Sequence, residues 1–181
     1  MAERPIIVAP DQRLKKHAQP VERVDDELRR LMDDMLETMY AAPGVGLAAP
    51  QVGVGQRILV ADVSGQGEDP CPYRMVNPEL VSTGEATETR EEGCLSLPEV
   101  YAEITRPSQA TVRYLDENNA EQTLEAEGFL ATVLQHEIDH LNGVLFIDYL
   151  SSLKRNMILR RLAKHHKGGK SRKTRSTEPA A

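Results

Sequence analysis

Residues 135–140 read Gln135-His136-Glu137-Ile138-Asp139-His140, an H-E-x-x-H pattern. Helix formers run up to it from Glu125, with Phe129, Leu130, Val133 and Leu134 on one apolar face. On a helix, residues four apart lie one above the other, so two imidazoles reach a common point. That spacing suits one metal ion, with Glu137 beside the first ligand placed to take a proton from a water at the same ion. The plain alternative is a buried helix whose histidines are satisfied by hydrogen bonds.

The 181-residue chain is long enough for one domain with its own core. No apolar run is long enough to span a membrane. The N-terminal residues lack the charged-then-apolar order of a secretory signal, which predicts a cytoplasmic protein. The two cysteines, Cys71 and Cys94, allow at most one disulfide; in a reducing compartment a cysteine near a histidine pair is better used as a ligand or nucleophile. Residues 1–150 hold 12 Lys/Arg against 27 Asp/Glu, whereas 151–181 hold 10 Lys/Arg against Glu178 alone. A basic end on an acidic body suits an acidic partner such as a phosphate backbone.

Around the H-E-x-x-H helix the pattern is mixed. Residues 5–21 read as an extended, proline-bearing arm. Leu28, Leu31, Met32, Met35, Leu36 and Met39 recur at helical spacing behind Asp25, Asp26 and Glu27, predicting a helix that ends near Ala41 before Pro43-Gly44. Gly44, Gly46 and Ala49 loosely fit a dinucleotide-binding fingerprint. They follow a helix rather than a strand, however, and Pro50 blocks a helix after them, so nucleotide binding is rejected in favour of a loop whose backbone is open to a ligand. Strands are predicted over 58–63, 74–81, 100–105 and 110–115, with a turn at 116–120 and a return through 122–124. The acidic stretch 85–93 has no assigned structure, and Val144-Leu145-Phe146-Ile147 looks strand-like. A final helix from Leu150 to about Lys164 carries Leu153, Met157, Ile158 and Leu162 on one face, and 167–181 reads as a disordered basic tail behind a single domain over 1–166. Strands first and the key helix late favour an α+β fold over a βαβ series.

A catalytic site of this kind has three protein ligands and one open position. In the longer H-E-x-x-H-x-x-G-x-x-H pattern Gly143 matches, but Phe146 stands where the histidine belongs. Two candidates remain for the third ligand, Asp148 downstream and Cys94 upstream. Spacing alone leaves both open, and thiolate affinity favours Cys94.

Three stretches, Gly44-Val45-Gly46-Leu47-Ala48-Ala49-Pro50-Gln51, Glu92-Gly93-Cys94-Leu95-Ser96 and the H-E-x-x-H segment, together resemble the three signature motifs of the peptide deformylases, in order and at similar separations. The resemblance runs from about Pro5 to Leu162. It implies antiparallel β-sheets packed around a central H-E-x-x-H helix, with an N-terminal and a C-terminal helix. It also implies hydrolytic removal of the formyl group from the N-terminal formyl-methionine of nascent peptides.

The same resemblance implies a metal held by Cys94, His136 and His140, usually Fe2+, with Zn2+, Ni2+ or Co2+ as substitutes that the ligand types would also accept. Glu137 would be the general base and acid, and the Gln51 amide with the Leu95 backbone N–H would stabilise the oxyanion. Val45, Gly46 and Gly93 would form a peptide-binding edge. The methionine pocket would be lined by Val45, Leu95, Thr132, Val133 and His136, with Tyr101 on the peptide channel. Thr132 departs from the larger aliphatic residue common there. Glu92 and Arg106 would pair behind the cysteine loop, and Asp139 would either orient an imidazole or cap local structure. A basic C-terminal helix would suit ribosome docking, and no spare apolar stripe calls for an oligomer, so a monomer is expected. Rival readings are a small metallopeptidase and a silent peptide- or ribosome-binding relative; the latter would lack Glu137 or Gln51, and both are present.

Overall fold

A computed structural model describes residues 2–172, with side chains to His165. Helix α1 spans Asp26–Ala41. Asp25 caps it by accepting from the Leu28 N–H, and Asp26 and Glu27 sit in the first turn where carboxylates oppose the helix dipole. Its buried face is the expected stripe from Leu28 to Met39, with Thr38 added.

A five-stranded antiparallel sheet is ordered β1 (Gly46–Ala48), β2 (Ile58–Ala61), β3 (Tyr73–Thr83), β6 (Gln109–Leu115), β7 (Glu121–Glu127). All four residues of β2 are buried, as an interior strand covered on both faces requires. Strands β4 (Thr87–Cys94) and β5 (Leu97–Pro107) form a separate hairpin that turns at Leu95-Ser96. Helix α2 (Gly128–Leu141) lies between these layers, packing on β1, β2, β3, β6, β7 and β5. Every residue from Ala131 to Ile138 is buried, so this helix is apolar nearly all round except where its chemistry lies. Helix α3 (Ser152–Arg172) closes the described chain. No described helix is long and apolar enough to cross a membrane.

Several local expectations are corrected. Helix α2 starts at Gly128, not Glu125, because β7 pairs with β6 up to Gln109↔Glu127. Gly128 then takes a left-handed φ of 58° that turns strand directly into helix. The acidic stretch is strand β4: its carboxylates are mostly exposed, and pairing with β5 outweighs its weak strand propensity. The strand-like run after α2 becomes a 3-10 turn over Phe146–Tyr149, with Phe146 and Ile147 buried against Leu97, Val100 and Ile104 of β5. The arm includes a 3-10 turn at Gln12–Lys15 capped by Asp11. On α3, Ile158, Leu159 and Leu162 pack inward, but Leu153 and Met157 are exposed. That helix also runs past Lys164 to Arg172; residues 173–181, where most of the expected tail falls, lie outside the described residues.

Candidate active site

Cys94 ends β4, at the shifted register where Cys94 faces Leu97, so the hairpin turn aims its thiol toward α2. His136 and His140 stand one turn apart on α2, ring centroids 5.0 Å from each other. Ligand-capable atoms of all three lie within 4.8 Å of one another, and Cys94 Sγ is 3.2 Å from His140 Nε2. Ligands around a tetrahedral ion at about 2.0–2.3 Å would be separated by roughly 3.5 Å, so this donor set fits such an ion. Asp148 is elsewhere, accepting from Lys15 and the Leu145 N–H, and is excluded as the third ligand.

The groups behind the histidines are held firmly. His136 Nδ1 is 2.9 Å from Glu92 Oε2, which leaves the other ring nitrogen for the cleft side. Glu92 is gripped by Arg106 through two bonds of 2.6 and 3.1 Å, and both residues are buried. Burial works against Glu92's charge, but His136 and Arg106 outweigh it and hold the carboxyl below its usual range. Asp139 touches Arg106 (2.9 Å) and the Tyr149 hydroxyl (2.8 Å), so it braces the arginine rather than an imidazole. Burial and the neighbouring His136 charge hold His140 well below its ordinary pKa, in keeping with a neutral ring.

Glu137 is 4 % exposed. Burial pushes its carboxyl up to about 7, and its Oε2 lacks a hydrogen-bond partner. Both features suit a proton-transfer group, whose pKa works best near the operating pH. The β1 backbone comes very close: a Cβ at Gly46 would sit 2.4 Å from Glu137 Oε1. Only glycine there leaves the carboxylate its position.

Gln51 sits in a 3-10 turn over Ala49–Val52 and is buried. Its Oε1 accepts from the Ala48 N–H at 2.8 Å, which fixes the amide so that Nε2 faces Ser96 Oγ (3.1 Å) and Cys94 Sγ (3.5 Å). The N-terminal arm ties these turns together, Ile7 N–H donating to Gln51 O and Ala9 N–H to Ser96 O.

One cleft of about 490 Å3 is lined by Val45, Gly46, Gln51, Gly93, Cys94, Leu95, Tyr101, Thr132, Val133, His136 and Glu137. His140 lies beneath it against Cys94. The Thr132 hydroxyl donates to Gly128 O within the helix, which preserves an apolar wall at that departure. Sequence reasoning missed Phe129 as a cleft residue and Ser96 as the partner of Gln51. Phe129 looked like any core position of an apolar helix face, whereas Ser96, two residues past Cys94, was open to suspicion. Cys71 is exposed on its loop and takes no part.

A family model for polypeptide deformylase matches residues 3–156. The chain is 56% identical to a peptide deformylase of Rhizobium meliloti (strain 1021) over 164 residues, 91% of this chain and 94% of that protein. A crystal structure of peptide deformylase from Ehrlichia chaffeensis superposes with a TM-score of 0.88 at 42% identity, covering 93% of this chain and 99% of that one. A second structure from that organism, in complex with actinonin, gives a TM-score of 0.87 at 44% identity over 91% and 98%. With α2 between antiparallel sheets and a Cys/His/His group beside a buried glutamate, the chain belongs to the peptide deformylase family, metal-dependent hydrolases that remove the formyl group from N-terminal formyl-methionine.

Proposed function

We propose that Cys94, His136 and His140 hold one divalent ion, Fe2+ in the cell, and that Glu137, Gln51 and Leu95 carry out deformylation around it. The observation that carries this reading is the convergence of those three donors beside Glu137, whose Oε2 is buried and unpartnered. An ion there would supply Lewis acidity toward the formyl oxygen and lower the pKa of a water at its open position. Glu137 takes the proton of the attacking water as its oxygen adds to the formyl carbon. The C–N bond then breaks, and Glu137 returns the proton to the leaving amine, giving formate and a free N-terminal methionine. Gln51 Nε2, held by Ala48 and Ser96 at the thiol, donates to the oxyanion together with the Leu95 N–H.

The methionine side chain enters between Val45, Leu95, Thr132 and Val133, and the peptide backbone pairs along Gly46 and Gly93. The Ehrlichia chaffeensis structure holds actinonin, and the same cleft here is expected to take it. The enzyme works in the cytoplasm as a monomer. The basic side chains Lys154, Arg155, Arg160, Arg161 and Lys164 on α3 dock it on the ribosome, an interaction that should weaken steeply with salt.

The test is formate release from formyl-Met-Ala-Ser by anaerobically purified protein of known metal content. Turnover with about one Fe2+ per chain that is lost in air supports the assignment, since a ligating thiolate is oxidisable. Metal without formate release would overturn it.

A further inference from the structure

Beyond the cleft, strand β5 continues past a second concavity of about 520 Å3 between β5 and α3. Its walls are Tyr101 and Glu103 on the strand and Leu150, Lys154, Met157 and Ile158 on the helical side. Tyr101 lines this groove and the catalytic cleft alike. Its ring lies over Gly93, where an added Cβ would come within 2.7 Å of Cε1. Two of the groove's apolar residues are largely open to solvent, Tyr101 at 66% and Met157 at 61% exposed. Helix α3 is fastened to the cleft rim as well, because Arg161 donates to the carbonyl of Glu99 (3.3 Å), a residue held at a left-handed φ of 59°.

The geometry points to this groove as an extension of the substrate channel that binds an apolar, extended segment of the formylated chain beyond its third residue. The inference rests on the cleft being the deformylation site. Continuity through Tyr101 selects the occupant, since a peptide leaving the cleft past that ring meets the groove next. Lys154 to Arg161 spans about 10 Å of helix, a length that three or four extended residues cover. A peptide with apolar side chains fits this lining, where five apolar residues outnumber the charged ones and the carboxylate of Glu103 opposes a phosphate backbone. Tyr101, Ala102, Leu150, Met157 and Ile158 supply its apolar lining, Lys154, Arg161 and Glu103 supply charge of both signs, and Arg155, Arg160 and Lys164 lie outside it.

The experiment compares kcat/KM for formyl-Met-Ala-Ser with the same peptide extended by Leu-Ala-Val-Leu or by Gly-Ser-Gly-Ser, using the metal-loaded enzyme. Burial of one or two apolar side chains, less the ordering of the peptide, predicts about a tenfold advantage for the apolar extension. Met157→Glu should erase that advantage and leave the tripeptide within about twofold, which also reports that the variant is folded. Equal rates on the two extensions, or an advantage that survives in Met157→Glu, would overturn the groove while leaving the cleft standing. No turnover of the tripeptide by the unaltered enzyme would overturn the cleft, and the groove with it.

Discussion

Helices α2 and α3 are built on opposite terms. In α2, burial on almost every side gives the supporting polar groups defined partners: His136 on Glu92, Gln135 on the Pro107 and Ala131 carbonyls, Asp139 on Arg106. Among the described, buried side-chain atoms of the helix, only Glu137 Oε2 and His140 Nδ1 are left without one. In α3, Leu153 and Met157 are left to solvent. The contrast teaches where chemistry is kept. Preorganised groups need a low-dielectric, over-determined setting, and adaptable contact with many sequences needs an open one.

The comparison can be broken most directly at Glu137. Glu137→Ala should cut kcat by about 10²–10⁴-fold, the usual scale for a general acid–base group, while bound metal measured by elemental analysis stays near one per chain. Unchanged turnover would mean the buried, unpartnered carboxylate is structural.

Arg106→Met tests the bracing behind α2. It strands Glu92 as a buried charge, for which about 3–5 kcal/mol of lost stability is expected in urea unfolding. A companion Glu92→Gln/Arg106→Met double variant should recover part of it. A loss below about 1 kcal/mol would show that the network is ornamental.

Gln51→Leu removes the amide facing the thiol. It should raise the barrier by about 3 kcal/mol, read as a fall in kcat with little change in KM. A KM effect alone would place Gln51 in binding.

The smallest effect belongs to α3, where Leu153→Ser should change stability by no more than about 0.5 kcal/mol. A larger loss would mean the helix is packed as tightly as α2.

Much of this was legible before any coordinates. The H-E-x-x-H spacing needed only the 3.6-residue repeat, and the α1 stripe followed from the same periodicity. Errors came where neighbours overrule local preference. Glu125 to Glu127 favour helix yet finish β7 because β6 still pairs with them, and the acidic stretch left without assigned structure forms β4 from Thr87 on because β5 offers a ladder.

What the sequence by itself determined is therefore local and periodic: two histidines on one helical face with a glutamate between, an apolar stripe on α1, and motifs in order along the chain. The sequence favoured Cys94 over Asp148, but only the tertiary structure set its thiol beside the histidines, put Asp139 on Arg106, and turned Leu153 and Met157 to solvent. The reason is physical. Helical register is set within a few residues, whereas Cys94 and His140, 46 residues apart, meet only because a hairpin turn and a buried helix pack against each other.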